Sequence, residues 1–450
     1  MTQDQSSARR LIYLVGTYPS LTTTFIDREI RALRGWGVDV RIIAMRHPPE
    51  SLPLSADQLA EGVVYLTPIL WRGFLAALVG WLARRPLRLA GTTFYLLTRP
   101  HPTPRARLKT AAHIAEGVYA AWLARDLEFR ELHAHFADRA ATIALVMGRL
   151  LDKPYSLSIH AGADIFVNPV LLPEKIREAR HVATCTRYNK AHLLTLVGHS
   201  AASKITCVPH GLELGKYEPV PRANGHTNGH VNGRPSILAV GQLAERKGLE
   251  QLLISCDLLR RRGYTFDIHI VGEGPQRAKL EEIIERLELV DVVTLHGALP
   301  HEAVIDRYRR ATLFALPCIR TQDGDIDGIP NVLAEAMAME LPVVSTRLSA
   351  IPELMDDGVT GRLVPPGDTE ALAGALAELI DRPILAAELG RNGRRAVLAT
   401  FAVERNVRLF AATLWPDWFA PPGGKIAVAL SETEHANSTT QLDRRRLGAL

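Results

Sequence analysis

Three aspartates at alternate positions, Asp323, Asp325 and Asp327, lead into Gly328-Ile-Pro-Asn331 and, three apolar residues later, Glu335. The apolar run Leu313 to Leu316 enters this stretch like a strand, and Asp327, Gly328 and Pro330 break it. Val332 to Met339 then has helical composition, rich in Leu, Ala, Glu and Met. Pro330 suits the first helical turn, where its missing N–H costs nothing. The free N–H groups of that turn and the positive end of the helix dipole make Gly328, Ile329, Pro330 and Asn331 an anion site. Glu335 lies about one turn further in. A carboxylate beside an anion site repels the anion, so Asp327 and Glu335 need another partner. Sugar hydroxyls, which donate hydrogen bonds to carboxylates, meet that need.

Two other readings stand beside this one. Asp323, Asp325, Asp327 and Gly328 match positions 1, 3, 5 and 6 of an EF-hand calcium loop. The closing Glu should then fall at 334, which is Ala, and Pro330 sits inside the loop. The plainer alternative is a solvated acidic loop ahead of a surface helix.

Other candidates lie at strand ends. Arg246 and Lys247 occupy the glycine-bounded loop Gly241 to Gly248 after the apolar run 236–240, where cations can bind a diphosphate. Gly272 and Gly274 follow the strand-like 266–271, and His296 follows 292–295, which makes both stretches candidate nucleotide contacts. Tyr155 to Ile159 delivers His160 at its carboxyl end, where a ligand in the crevice of an α/β sheet would be met. Gly16 and Thr17 close the first apolar run and could receive a phosphate or sugar; helix capping by Thr22 or Thr23 is the alternative. His133 and His135 share one strand face. They could begin a metal site, but no third ligand is near in sequence, and a satisfied pocket histidine is the reading adopted.

The elements that must position these residues alternate regularly. Short apolar runs at 11–15, 38–44, 132–136, 155–159, 179–186 and 205–209 are separated by helical stretches. The same alternation restarts at 236 and runs to the helix 368–379. This predicts an α/β chain with two successive Rossmann-like halves facing one crevice. The domains are then 1–214 and 235–400, joined by an Asn/Gly/His-rich linker at 215–234 and followed by a helix at 401–416. The Ser/Thr/Arg-rich tail 417–450 is expected to be disordered.

The 450 residues fit two or three domains, with 47% hydrophobic and 22% charged residues, the make-up of an ordinary globular protein. Four cysteines without paired spacing argue against a zinc or disulfide framework and suit a reducing compartment. The polar start and short first apolar run do not read as a signal peptide, and no uninterrupted apolar run is long enough to span a membrane. Residues 1–214 hold 26 Lys/Arg against 17 Asp/Glu, a balance of +9, whereas 215–450 hold 27 against 31, a balance of −4. Between Gly62 and Ala115 there is no Asp or Glu, but there are seven arginines, Lys109 and several aromatics. That composition fits an interfacial segment on anionic lipid; a helical hairpin packed on its own domain is the alternative.

Taken together, these stretches resemble the family 4 glycosyltransferases of the GT-B fold, over most of residues 10–416. Asp327-Gly-Ile-Pro-Asn-Val-Leu-Ala-Glu335 looks like the family's paired-acid motif, with Asp327 in place of the first Glu. Gly241 to Gly248 looks like its diphosphate loop; Lys247 matches, and Gln242 stands where an Arg is usual, with Arg246 as a substitute. Val271 to Pro275, Val208 to Gly211 and Ser158 to Asp164 also match. Tyr18 to Ile26 and the triple-Asp loop look most like members that build bacterial exopolysaccharides, such as colanic acid. The resemblance implies a retaining, metal-independent transfer from a UDP- or GDP-sugar to a lipid-linked or saccharide acceptor, with no cofactor and no nucleic acid partner. It implies a cytoplasmic protein peripheral on the membrane's inner face. It also implies that Lys247, Arg246 and the helix start bind the diphosphate, Glu335 holds the ribose, Asp327 holds the donor sugar, and His160 reaches the sugar from the other domain. A nucleotide-sugar epimerase of the same fold and a non-catalytic membrane-associated binding protein are the competing functions.

Overall fold

A computed structural model describes residues 9–20, 24–48, 62–160, 162–167, 169–219, 230–231 and 234–419. Seven parallel strands form the first sheet: β1 (Arg10–Thr17), β2 (Asp39–Arg46), β3 (Val63–Tyr65), β4 (Glu131–His135), β5 (Tyr155–Ile159), β6 (His181–Thr184) and β7 (Ile205–Cys207). Their spatial order is β3-β2-β1-β4-β5-β6-β7. The second sheet runs β11 (Val293–Leu295), β10 (Asp267–Val271), β9 (Arg234–Val240), β12 (Leu313–Leu316), β13 (Val343–Thr346), β14 (Arg362–Val364), again all parallel along that path. Strands covered on both faces must be apolar throughout, which is why they read as short hydrophobic runs. In each sheet the order reverses beside the first strand, between β1 and β4 and between β9 and β12, and ligands of such sheets bind at the carboxyl ends of that switch point. The two Rossmann-like halves expected from the sequence are therefore present.

The linker differs in part from expectation. Residues 220–229 and 232–233 lie outside the described residues. Leu214–Lys216 is a 3-10 turn, Tyr217 is fully buried, and β8 (His230–Val231) pairs antiparallel with β9. Burial of the Tyr217 ring offsets part of the cost of ordering this stretch. Of the tail, Pro416–Phe419 forms a helical turn; residues 420–450 lie outside the described residues, as do Thr22, Thr23 and the side chain of Asp164.

The chain crosses back after the second sheet. The helix Val403–Leu414 lies on the first domain, and Val403, Val407, Phe410, Leu414 and Trp415 share one buried cluster with Leu11, Tyr13, Val15, Ile26 and Ile30. At the crossing, Leu212 N–H donates to the Phe401 carbonyl (2.7 Å) and Val403 N–H to the Leu212 carbonyl (3.1 Å). A Cβ on Gly211 would sit 2.2 Å from the Val403 Cα, so only glycine fits there.

The acid-free window folds as three helices, Trp71–Arg84, Pro86–Thr98 and Pro104–Ala124. Trp81, Leu89, Leu96, Ile114 and Val118 join the core of the first domain, while Trp71, Leu87 and Phe94 stay exposed. Among the described residues no helix is long and apolar enough to cross a membrane.

Candidate active site

In the second domain, the loop Gly241 to Gly248 is clamped from two sides. Leu243 N–H donates to the Glu273 carbonyl (2.9 Å) and Ile319 N–H to the Arg246 carbonyl (2.9 Å). Gly248 adopts φ +68°, and a Cβ there would sit 1.8 Å from the Pro317 carbonyl oxygen. Gly272 and Gly274, read as nucleotide contacts, lie against the backbone of Gly241 and Leu243, so in this structure they allow the two loops to pack. The clamp holds the Lys247 side chain over the loop from 325 to 331.

There the cations meet the aspartates. Lys247 Nζ lies 2.9 Å from Asp327 Oδ2, Arg246 Nε lies 3.3 Å from Asp327 Oδ1, and a second Arg246 nitrogen lies 3.2 Å from Asp325 Oδ2. A third Arg246 nitrogen donates to Gln242 Oε1 (3.0 Å). The partner that Asp327 requires is thus the cation pair, and no sugar hydroxyl is needed to satisfy it in the ligand-free protein. Burial alone would raise the Asp327 pKa, but Lys247 and Arg246 outweigh it and hold the carboxyl below its ordinary value. The calcium reading is not the arrangement found: Asp325 and Asp327 turn to these cations, while Asp323 takes a hydrogen bond from Thr321 Oγ1.

A depressed carboxylate stabilises the fold above its unfolded value, near pH 4, and that contribution is lost as pH falls through the lower native value. Asp327→Asn is therefore expected to lower the melting temperature at pH 7 and to converge on the parent protein as pH falls through the lowered native value. Melting curves across that range test this, and a gap that stays constant with pH would refute it.

Pro330 serves as the N-cap of the helix Asn331–Ala338, one position before the first helical residue. No side chain caps this helix and Leu333 N–H turns to the Pro330 carbonyl (3.0 Å), so the N–H groups of Asn331 and Val332 are the ones that can meet an anion. Ser349 Oγ donates to the carbonyls of Asp327 and Gly328 (3.1 Å for the latter) and fixes the turn. Glu335 is buried, and its Oε2 accepts from Tyr308 Oη (3.1 Å). His296 lies 3.1 Å from His269 and 3.4 Å from Arg307, and burial followed by the Arg307 charge pushes its pKa down to about 4.

Across the cleft, His160 follows β5 and is buried. Its Nε2 lies 3.2 Å from His135 Nδ1 and its Nδ1 lies 2.9 Å from His210 Nε2; His210 Nδ1 then lies 3.4 Å from Asn331 Oδ1 of the second domain. A line of three imidazoles thus links the first-domain core to the start of the helix Asn331–Ala338. Desolvation, then His210 and His135, holds His160 well below its ordinary pKa, so the ring is neutral at pH 7. Phe25 stacks on His210 at 4.3 Å, and Phe136 packs edge-on against His160 at 4.9 Å. Gly16 and Thr17 end β1 at the same switch point, with open space where a Gly16 Cβ would stand.

The His133–His135 pair does have a third neighbour. Glu29, on the helix Thr24–Gly35, brings its carboxylate within 4.8 Å of ligand atoms of both, and His160, Cys185 and His210 form a second such group. Both His133 nitrogens already meet hydroxyls, Ser156 at 2.9 Å and Ser158 at 3.0 Å, as a satisfied pocket histidine would. Glu29 and Tyr308 were not legible as site residues because each comes from a distant element, and Phe25 and Phe136, though inside stretches that stood out, carry no polar group to mark them. His210 was visible only as part of a motif.

The structure brings His160, His210, Asn331 and the turn 327–330 to one cleft, with Lys247 and Arg246 beside Asp327. It places His296 in a separate His269–Arg307 cluster. Residues 224–396 match the family model described as glycosyl transferases group 1. A Salmonella typhimurium protein named WcaL for colanic acid biosynthesis is 38% identical over 192 residues, 42% of this chain and 47% of that protein. The chain spans about half or less of the length of the first curated relatives it matches. Sucrose-phosphate synthase from Thermosynechococcus elongatus superposes with a TM-score of 0.69 at 19% identity, covering 92% of this chain and 99% of that one. Anabaena HepE, solved with UDP, gives a TM-score of 0.66 at 15% identity, covering 90% and 99%. The fold is GT-B, and the resemblance to the family 4 glycosyltransferases is borne out.

Proposed function

We propose that this chain is a glycosyltransferase of bacterial exopolysaccharide or cell-surface glycan assembly. It moves a sugar from a UDP- or GDP-sugar, with retention and without a metal ion, onto a lipid-linked or saccharide acceptor. The observation that carries this reading is the convergence of Lys247, Arg246 and the uncapped start of the Asn331–Ala338 helix on one turn, with His160 reaching that helix through His210. The name of the colanic acid relative and the UDP in the HepE structure support it.

As the bond from the anomeric carbon to the diphosphate breaks, negative charge gathers on the leaving group. Fixed cations and backbone N–H groups that face that charge lower the barrier. In the free protein Asp325 and Asp327 neutralise both cations, so donor binding exchanges carboxylate contacts for phosphate ones. Asp327, freed from Lys247, would then accept from donor-sugar hydroxyls, and Glu335 from the ribose. Both His160 nitrogens face other imidazoles, so a hydrogen bond to the sugar would replace the contact with His210 or His135, and the neutral ring adds no charge beside the developing cation at the anomeric carbon.

Calorimetry with UDP, GDP and their common sugars, with EDTA present, tests the donor. One nucleotide sugar should bind and raise the melting temperature; failure of all to bind defeats the proposal. Donor incubated alone should not be epimerised, and an epimerised product would favour the epimerase reading.

The helices 71–84 and 86–98 expose Trp71, Val79, Leu87 and Phe94 among arginines, of which Arg88 pairs with Asp152 (2.9 Å). We place this face on an anionic membrane surface. Flotation with phosphatidylglycerol vesicles is expected at low salt and should fade as salt screens the arginines; no flotation at low salt would sink the placement.

A further inference from the structure

We propose that His160, His210 and Cys185 form a binding site for a divalent ion of the zinc class, and that such an ion, once bound, shuts off sugar transfer. The binding stands apart from the glycosyltransferase reading above; the shut-off rests on it.

One nitrogen of His160, one of His210 and Cys185 Sγ lie within 4.8 Å of one another. Zinc takes thiolate sulfur at about 2.3 Å and imidazole nitrogen at about 2.0–2.1 Å, so two nitrogens of a tetrahedral site stand about 3.3 Å apart. His160 Nδ1 and His210 Nε2 are 2.9 Å apart. The rings need part only by a few tenths of an ångström to admit an ion, with Cys185 as third ligand and water as fourth. All three residues line one cavity of about 40 Å³, room for an ion and its water. His160 and Cys185 are buried in its wall.

The contacts on the outer side of each ring point to the same place. His135 Nε2 lies 3.3 Å from Glu29 Oε1, off the hydrogen-bond axis. A lone pair there would face a carboxylate, so this nitrogen carries the proton of its ring. His135 Nδ1 is then an acceptor, and His160 Nε2–H donates to it (3.2 Å). At the far end, His210 Nδ1 faces Asn331 Oδ1 (3.4 Å), an acceptor, and carries its own ring's proton. A neutral imidazole has one N–H. Four contacts therefore share three protons, and the two nitrogens at 2.9 Å are left with facing lone pairs. A cation between them turns that repulsion into two bonds. The outer N–H of each ligating ring is already given to an acceptor, which fixes the ring and strengthens the inner nitrogen as a ligand. A proton would bridge the rings as well, but the sulfur beside them selects a thiophilic metal. Asn189 Nδ2 donates to Cys185 Sγ (3.7 Å), a contact that supports a thiolate. The thiol gives its proton to water as the metal–sulfur bond forms. The second group, Glu29, His133 and His135, lacks this arrangement, because both His133 nitrogens are engaged by serine hydroxyls. An ion on His160 Nδ1 holds the ring away from the donor sugar, which is how binding stops transfer.

The test uses the full chain, stripped with EDTA and dialysed, with Zn²⁺, Co²⁺ and Mg²⁺ as probes. Calorimetry should show a single tight Zn²⁺ and no comparable Mg²⁺, and Co²⁺ should give the near-ultraviolet absorption of a sulfur–cobalt bond. Cys185→Ser is expected to lose that absorption and to bind Zn²⁺ at least about tenfold more weakly, the least that losing even an outer-shell partner costs. Its metal-free melting curve and transfer rate should match the parent. Cys207→Ser, which removes a thiol outside the group, should keep the cobalt absorption. Zn²⁺ is expected to stop transfer by the parent, EDTA to restore it, and Cys185→Ser to keep transferring at the same Zn²⁺ concentration. If Cys185→Ser does not fold, His210→Gln decides by the same absorption. No Zn²⁺ binding, which is the result if Asn331 turns its NH₂ to His210 and supplies the fourth proton, overturns the proposal. So does a cobalt spectrum without the sulfur absorption, Zn²⁺ binding that the variant leaves intact, or transfer that runs on with Zn²⁺ bound. If the metal-free parent transfers no sugar yet binds Zn²⁺ as described, the metal site stands and the glycosyltransferase reading fails.

Discussion

Lys247→Ala is expected to lower kcat/KM for sugar transfer by roughly 10²- to 10³-fold, the usual cost of removing one preorganised group that faces developing negative charge. The ammonium is nearly buried and its loop is clamped, which fixes the charge at one place beside the turn. Lys247→Arg should rescue little, because a planar fork does not fit a slot shaped for a point charge. Removing the lysine also leaves Asp327 with Arg246 alone, and the fold should lose about 1–3 kcal/mol. The informative partner is Asp327→Asn. It frees Lys247 and leaves Arg246 paired only with Asp325, so the nucleoside diphosphate alone should bind more tightly, while transfer slows because the donor-sugar contact is gone. Calorimetry with UDP and GDP beside initial rates separates the two effects. If Lys247→Ala stays within threefold of the parent in rate, the phosphate site has been put in the wrong place.

Trp415→Ala is expected to cost about 3–5 kcal/mol, the range for deleting a large buried aromatic side chain. That is a large part of the roughly 5–15 kcal/mol that holds most domains folded. Trp415 is completely buried, its ring lies 5.8 Å edge-on from Phe410, and its indole N–H donates to Glu131 Oε2 (3.2 Å) at the start of β4. Burial pushes the Glu131 pKa up, and Arg180 and the indole N–H oppose the shift. The variant leaves a cavity and a buried carboxylate with one donor fewer. Trp415→Phe should recover part of the loss by filling space without restoring the hydrogen bond. Thermal or urea unfolding reads both; a melting curve unmoved by Trp415→Ala would mean the last helix is not docked.

Which parts of the molecule were legible from sequence follows from where each signal resides. The parallel strands announce themselves because both of their faces are covered, and the ligand loops because glycine and charge interrupt those runs. The helix Arg139–Leu151 presents little polar face, since ten of its thirteen residues are buried. The Lys247–Asp327 pair joins positions eighty residues apart, and Glu29 meets His135 across more than a hundred. Contacts of that kind are created by the strand order, which no local pattern states. Tyr217 shows the same limit: one aromatic residue in a polar stretch gives little hint that it is fully buried.

The return of residues 403–415 to the first domain gives assembly an order opposite to that of synthesis. The earlier-made half cannot complete its core until the very end of the later half exists, since Phe410, Leu414 and Trp415 fill space beside Tyr13 and Val15. The contiguous second half, residues 234–400, can close as soon as it has been made, while the first waits with one face of its sheet covered only in part, by the helix Thr24–Gly35. A nascent chain arrested before residue 403 would expose that face and attract chaperones or aggregate. Removing residues 403–419 would therefore undo the domain at the opposite end of the sequence.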